Sequence, residues 1–182
     1  MDLQPPETLH GPTVTLRRYR LDDAPAIRDA IAASLETLRR WMPWAQTPPT
    51  ELSVLAFLIP AVEHFGGAAA ADYAIILRDE DQYVGGCGMM PRIGPAAVEI
   101  GYWVHAAYLR RGIAAEAARL LTNAALAIPG ITRVEIHCDE ANIPSQSVAR
   151  SLGFRLDRIE PDNVETPGEI GRSMIWVAEA PV

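Results

Sequence analysis

The residues that could do chemistry gather at two junctions in the second half of the chain. At the first, Tyr108-Leu109-Arg110-Arg111-Gly112-Ile113-Ala114 closes an alternating stretch and opens a helical one. A helix start carries unpaired amides and the positive end of the helix dipole, so it attracts anions, and two arginines beside it add charge. Gly112 and Ala114 are small enough for a diphosphate to approach the backbone closely. The same residues also read as a solvated arginine pair at an ordinary helix start. At the second junction, Asn142-Ile143-Pro144-Ser145 begins a short helix. Asn142 is placed to accept the Ser145 amide as an N-cap, with proline in the first turn, which leaves the Ser145 hydroxyl free. In the stretch 97–104, alternation sends Val98, Ile100, Tyr102 and Val104 one way and Glu99, Gly101 and Trp103 the other. Cys138 could be a nucleophile, but alternation turns its neighbour His137 to the opposite face, and a buried strand thiol is the simpler reading.

Several chemistries lack their motifs. There is no Gly-Lys-Ser/Thr of a nucleotide-triphosphate loop, and Gly85-Gly86-Cys87-Gly88 has neither the spacing nor the following helix of a dinucleotide site. The two cysteines form no CxxC and the four histidines no HExxH, so no metal is expected.

Positioning these residues requires an ordered set of elements. Residues 13–20 alternate as a first strand; a helical pattern runs from Asp22 and Asp23 to about Arg40 and is stopped by Trp41-Met42-Pro43-Trp44. A second helix is expected from about Thr50 to Phe65. Strands at 73–78 and 82–90 flank a hairpin turn at Asp79-Glu80-Asp81, and another follows at 97–104. A helix from about Gly112 to Ile128 has one apolar stripe and stops at Pro129-Gly130. A strand at 132–138, a helix at about 143–152 closed by Gly153, and strands at about 155–160 and 172–178 complete the order. The simplest assembly is one α/β (α+β) domain over 1–182, with a mostly antiparallel sheet of seven strands, about four helices, and one β–α–β crossover around the 112–128 helix.

Composition bounds the rest. A chain of 182 residues can bury a core without staples, and 49% hydrophobic with 21% charged residues suits a soluble globular protein. No apolar run reaches the roughly 18 residues of a membrane span. The N-terminus lacks the basic and apolar segments of a secretory signal, so the cytoplasm is the expected compartment and no membrane partner is expected. A net charge of −7 argues against nonspecific nucleic-acid binding.

The two junctions also carry a family resemblance. Val98-Glu-Ile-Gly-Tyr-Trp-Val-His-Ala-Ala-Tyr-Leu-Arg-Arg-Gly-Ile-Ala-Ala-Glu-Ala resembles the cofactor-binding motif of the GCN5-related N-acetyltransferases (GNAT), and Asn142 through Phe154 resembles the motif that follows it. The segment Leu38-Arg-Arg-Trp-Met-Pro-Trp44 and the Cys138 to Ser145 spacing are similar to the subfamily that acetylates N-termini of ribosomal proteins. Leu109 departs from the usual Gln or Arg, and Arg110 stands at an often-glycine position.

The resemblance implies a GNAT fold whose sheet splays between its fourth and fifth strands, 97–104 and 132–138, with the pantetheine of acetyl-CoA in the gap. It implies that backbone groups of Trp103 and Val104 pair with the pantetheine. The loop Leu109, Arg110, Arg111, Gly112, Ile113 and Ala114 would hold the diphosphate, Asn142 would touch the arm, and Arg150 would reach the far phosphate. Trp41, Met42 and Trp44 would wall the acceptor side. The implied reaction is direct attack of an amine on the thioester, without an acyl-enzyme. Glu99 is then the candidate base, with an ion-paired structural glutamate as the alternative; the Val104 N–H is the candidate oxyanion donor and Ser145 the candidate acid. At pH 7 an α-amine near pKa 7.8 is about 14% neutral and a lysine near 10.4 about 0.04%, so an α-amine suits a single carboxylate base better. The resemblance implies a peptide or protein N-terminus as the acceptor. A small amine acceptor and a non-catalytic acyl-CoA-binding module are the alternatives, and a homodimer is conceivable.

Overall fold

The computed structural model describes residues 3–68 and 70–179. Its strands are β1 (Thr8–His10), β2 (Val14–Arg18), β3 (Ala71–Leu77), β4 (Gln82–Met90), β5 (Ala97–Val104), β6 (Arg133–Asp139), β7 (Arg155–Pro161) and β8 (Arg172–Glu179). They form one sheet in the order β1-β2-β3-β4-β5-β6-β8-β7, antiparallel at every step except β5–β6. Among the described residues the sheet thus has eight strands rather than seven. The addition is β1, whose three residues are too few to show alternation; pairing Thr8 with Arg17 and His10 with Thr15 defines it.

The helices are α1 (Ala24–Leu38), α2 (Glu51–Glu63), α3 (Ile113–Leu126) and α4 (Ile143–Ser151), within about two residues of their expected limits. Local chemistry fixes their starts. Asp23 accepts the Arg20 amide at 2.8 Å and two Arg17 N–H groups at 2.6 and 2.8 Å ahead of α1. Thr50 and Ser53 exchange side-chain and amide hydrogen bonds at 2.9 and 3.0 Å to cap α2, and Pro60 sits inside that helix without ending it. One face of the sheet is covered by α3 and α4, burying Ile113, Leu121, Val134, Ile136 and Phe154. On the other face α1 and α2 bury Ile27, Val54 and Leu58 with Tyr19 and Tyr83. Each such aliphatic side chain contributes roughly 1.5–3 kcal/mol.

The single parallel step creates the site. α3 is the crossover between β5 and β6, and these strands pair only at Ala97–Arg133, Val98–Val134 and Glu99–Glu135. Beyond that point β5 follows β4 as far as Val104 opposite Gly85, while β6 follows β8 as far as Asp139 opposite Ser173. Each strand keeps its outer neighbour and loses the inner one, so the sheet opens between them. The segment linking β7 to β8 folds toward this opening; Thr166 and Gly168 both donate to the Arg40 carbonyl, at 2.8 and 3.0 Å.

Candidate active site

The opening between β5 and β6 continues into a cavity of about 840 Å³. It reaches from Cys138, Asn142 and Ser145 past Glu99 to Trp41, Met42 and Trp44. The ladder fixes which backbone groups face the gap. Because the His105 amide donates to Val84 at 2.8 Å and the Ala96 carbonyl accepts from β6-side amides, odd-numbered residues of β5 bond toward β4 and even-numbered ones toward β6. Past Glu99 the main chain of Tyr102 and Val104 therefore meets the opening. Trp103 turns its main chain to β4 and gives the cavity its indole instead, which corrects the expected backbone role for that residue.

On the α4 wall, Asn142 caps the helix by accepting the Ser145 amide at 3.2 Å. The Ser145 hydroxyl stands 3.1 Å from the Tyr102 hydroxyl. Burial pushes the Tyr102 phenol up to about 12, so it stays protonated at neutral pH. Cys138 is free and buried, and burial raises its pKa despite a hydrogen bond from Ser145; it is a poor nucleophile. Arg150 donates to Gln146 at 2.7 Å and lies 5.0 Å over the Trp176 ring, so its guanidinium is engaged on the protein surface.

Away from α4, the carboxylates of Glu99 and Asp72 differ in their partners. Both Glu99 oxygens accept from Arg92, at 2.6 and 2.7 Å, and His137 Nδ1 lies 3.8 Å away. His137 Nε2 in turn meets Glu135 at 2.5 Å. The ion-paired alternative for Glu99 is the one its geometry matches. Asp72 is the residue the sequence reading missed. It lies at the start of β3, opposite Gly88 of β4, which is itself opposite Gly101 of β5. Its Oδ1 lies 2.4 Å from where a Gly88 Cβ would be, so the carboxylate rests on a strand surface that glycine leaves open. Among the described residues no hydrogen bond or ion pair engages it, and burial raises its pKa to about 6. The alternate-position glycines 86, 88 and 101 were the signal in the sequence, because glycine inside a strand marks a close approach.

Aromatic side chains line the acceptor side. Trp103 lies between Trp44 and Tyr83, with ring centroids 6.1 and 6.0 Å away, and Tyr83 and Phe57 flank Tyr19. At the α3 end, Gly112 has φ +79° and Arg110 has φ +61°. Arg110 thus holds a left-handed conformation that glycine adopts more easily, at a cost of about 1 kcal/mol. The first intrahelical bond runs from Glu116 to Gly112, so the amides of Ile113 and Ala114 remain open to an anion. Arg111 stacks 4.9 Å over Tyr108, and Leu109 is exposed.

The family model for the GNAT acetyltransferase domain matches residues 13–155, a span that holds Asp72, the β5–β6 opening, the α3 start and Ser145. The chain belongs to the GNAT acetyltransferase family. This GNAT protein is an N-acetyltransferase and takes its acetyl group from acetyl-CoA. Its sequence is 26% identical over 166 residues to an uncharacterized N-acetyltransferase of Bacillus licheniformis, covering 90% of this chain and 91% of the relative. It is 30% identical over 97 residues to the uncharacterized N-acetyltransferase YjdG of Bacillus subtilis, covering 53% and 58%. The fold is similar to that of RimL, a ribosomal-protein alpha-N-acetyltransferase in complex with coenzyme A, with TM-score 0.82 and 19% identity over 95% of this chain and 98% of that one. The microcin self-immunity acetyltransferase MccE, in complex with acetyl-CoA and AMP, gives TM-score 0.81 and 19% identity over 93% and 94%. Among the described residues no helix is long and apolar enough to cross a membrane.

Proposed function

We propose that this GNAT enzyme acetylates the α-amine of a peptide or protein N-terminus, in the cytoplasm, by direct transfer within a ternary complex. The observation that carries the reading is the juxtaposition in one cavity of Asp72, a carboxylate without a partner among the described residues, with a protonated hydroxyl pair, Tyr102 and Ser145, on the far side of the β5–β6 opening. The name of RimL, whose fold this chain shares, points the same way.

Each residue then has a defined task. The open amides from Arg110 to Ala114 bind the diphosphate, with the helix dipole and Arg110 adding positive potential. The main chain of Tyr102 and Val104 takes the hydrogen bonds that β6 no longer takes, and Asn142 borders the arm. Asp72, with its pKa near 6, is ionised at neutral pH yet basic enough to remove the ammonium proton. The freed amine nitrogen forms its bond to the thioester carbonyl carbon while the Val104 N–H stabilises the oxyanion. As the carbon–sulfur bond breaks, the Ser145 hydroxyl delivers a proton to sulfur and is resupplied from Tyr102; the nitrogen's second proton and the one held by Asp72 leave to solvent, from which Tyr102 regains its own. Glu99 holds Arg92 instead of removing a proton. Trp41, Met42 and Trp44 border the acceptor.

A thiol-release assay with acetyl-CoA and a panel of amines tests this. Turnover on short peptides with free N-termini, at kcat/KM at least tenfold above lysine side-chain amines in N-blocked peptides, is the expected result. Tight acetyl-CoA binding with no turnover on any amine would overturn it.

A further inference from the structure

The sheet surface beneath the cavity presents a second polar group that the transfer chemistry does not use. Trp103 is opposite Gly86 on β4, and its Nε1 lies 2.8 Å from the position a Gly86 Cβ would occupy. Trp44 and Tyr83 hold the indole edge-on from two sides, so its N–H direction is set by packing. Among the described residues no acceptor is bonded to that N–H. The Tyr19 hydroxyl shares that place over Gly86 and is bonded to the Tyr83 hydroxyl at 3.3 Å, and all three side chains border the cavity, so the indole N–H is a donor available to a substrate there.

The spacing between Trp103 and Asp72 identifies what fits. Asp72 Oδ1 lies over Gly88 and Trp103 Nε1 over Gly86, two residues apart on one face of one strand. The two glycine positions are separated by roughly 7 Å, with Oδ1 2.4 Å from the Cβ position of one and Nε1 2.8 Å from that of the other. A charge-assisted contact from carboxylate to ammonium takes about 2.8 Å and an N–H···O bond about 2.9 Å. The N–Cα–C=O unit between them spans about 3 Å from nitrogen to oxygen. Those three segments, somewhat bent, span a distance of the same order as the strand spacing. A plain alkylamine has nothing to offer the indole.

We propose that the Trp103 indole N–H selects acceptors carrying a carbonyl oxygen one carbon from the reacting amine, so that α-amino amides and peptide N-termini are preferred over simple amines. This rests on the N-terminal acetylation reading and gives it a residue. Trp103 acts here as a specificity residue. Its donor helps most once the amine is drawn in to attack, so the preference shows mainly in kcat/KM.

The test compares serinamide with 2-aminopropan-1-ol, which has the same amine-bearing carbon, a hydroxymethyl group and no carbonyl. Rates are referred to the free-base concentration of each, to remove the difference in amine pKa. The wild-type enzyme is expected to prefer serinamide by at least tenfold in kcat/KM. Trp103→Phe keeps an aromatic ring between Trp44 and Tyr83 but removes the donor, and it is expected to shrink that preference about tenfold. Coenzyme A affinity and thermal melting of the variant are measured alongside. A second pair, Ser-Ala-Ala against its analogue with the first carbonyl reduced to methylene, probes the same contact without altering the enzyme; the reduced analogue is expected to lose at least tenfold. An unchanged preference in Trp103→Phe, or equal rates for the two members of either pair on the wild-type enzyme, would overturn the proposal. Absence of wild-type turnover on every amine would instead remove the N-terminal acetylation reading itself, together with this inference.

Discussion

Replacing Gly88 with alanine tests the placement of the base without touching the base. The added Cβ would sit 2.4 Å from Asp72 Oδ1, where ordinary contact begins at 3.4 Å, so the carboxylate must retreat by about 1 Å. Gly88 is not in the left-handed region, so alanine meets no backbone strain, although the Ala71 carbonyl at 3.3 Å makes the fit tight. A misplacement of about 1 Å in a catalytic group costs on the order of 100-fold in rate, or about 2.7 kcal/mol in the barrier. We expect Gly88→Ala to lower kcat about 100-fold in the thiol-release assay. Coenzyme A affinity by titration should stay within about twofold, because the β5–β6 opening and the α3 start are untouched. Melting should shift by a few degrees at most. A kcat within threefold of wild type would show that Asp72 is not the base, and a parallel loss of coenzyme A affinity would show that the substitution disturbs the cofactor cleft instead.

Four further outcomes follow from the same geometry. Asp72 must be ionised to accept a proton, so kcat/KM should fall as pH drops through about 6; Asp72→Asn should abolish that limb and lower kcat by roughly 10²–10⁴-fold. Because burial disfavours the charged form of Asp72, Asp72→Asn should raise the melting temperature above pH 6 and change it little below pH 4, which calorimetry across pH would reveal. Ser145→Ala and Tyr102→Phe should each lower kcat by roughly 10–100-fold while the dissociation constant for coenzyme A stays nearly constant, with the double variant no worse than about the poorer single one, since the pair acts as a unit. Glu99→Gln should weaken the bidentate contact with Arg92 and lower the melting temperature by a few degrees, with a kcat loss far smaller than that of Asp72→Asn.

The elements were legible because their signals are local. The 3.6-residue stripe of α3, the Asn142 cap and the Pro129-Gly130 stop each act over a few residues, and the structure places α3 and α4 where those signals put them. β1 was not legible, because a three-residue edge strand exists only through its partner. The site was read by halves. Ser145 and the Arg110–Ala114 loop belong to the two junctions and could be found from sequence spacing. Asp72 could not, because an acid at the start of a strand looks like a solvated terminus. Its exposure to the cavity depends on the register that sets Asp72, Gly88 and Gly101 in one row across three strands. Glu99 shows the converse: alternation gave its face, but Arg92, seven residues away across a loop, decides what its carboxylate is doing. Trp103 follows the same rule, since only ladder parity tells a backbone that faces the gap from one that faces β4.

The most direct test of the account is a crystal structure of the enzyme with coenzyme A and a peptide bearing a free N-terminus. The pantetheine arm is expected between β5 and β6, hydrogen-bonded to the main chain of Tyr102 and Val104, with its sulfur in reach of Ser145 and the peptide nitrogen beside Asp72. A cofactor arm lying outside that gap, or a peptide nitrogen remote from Asp72 and held by Glu99, would contradict that placement.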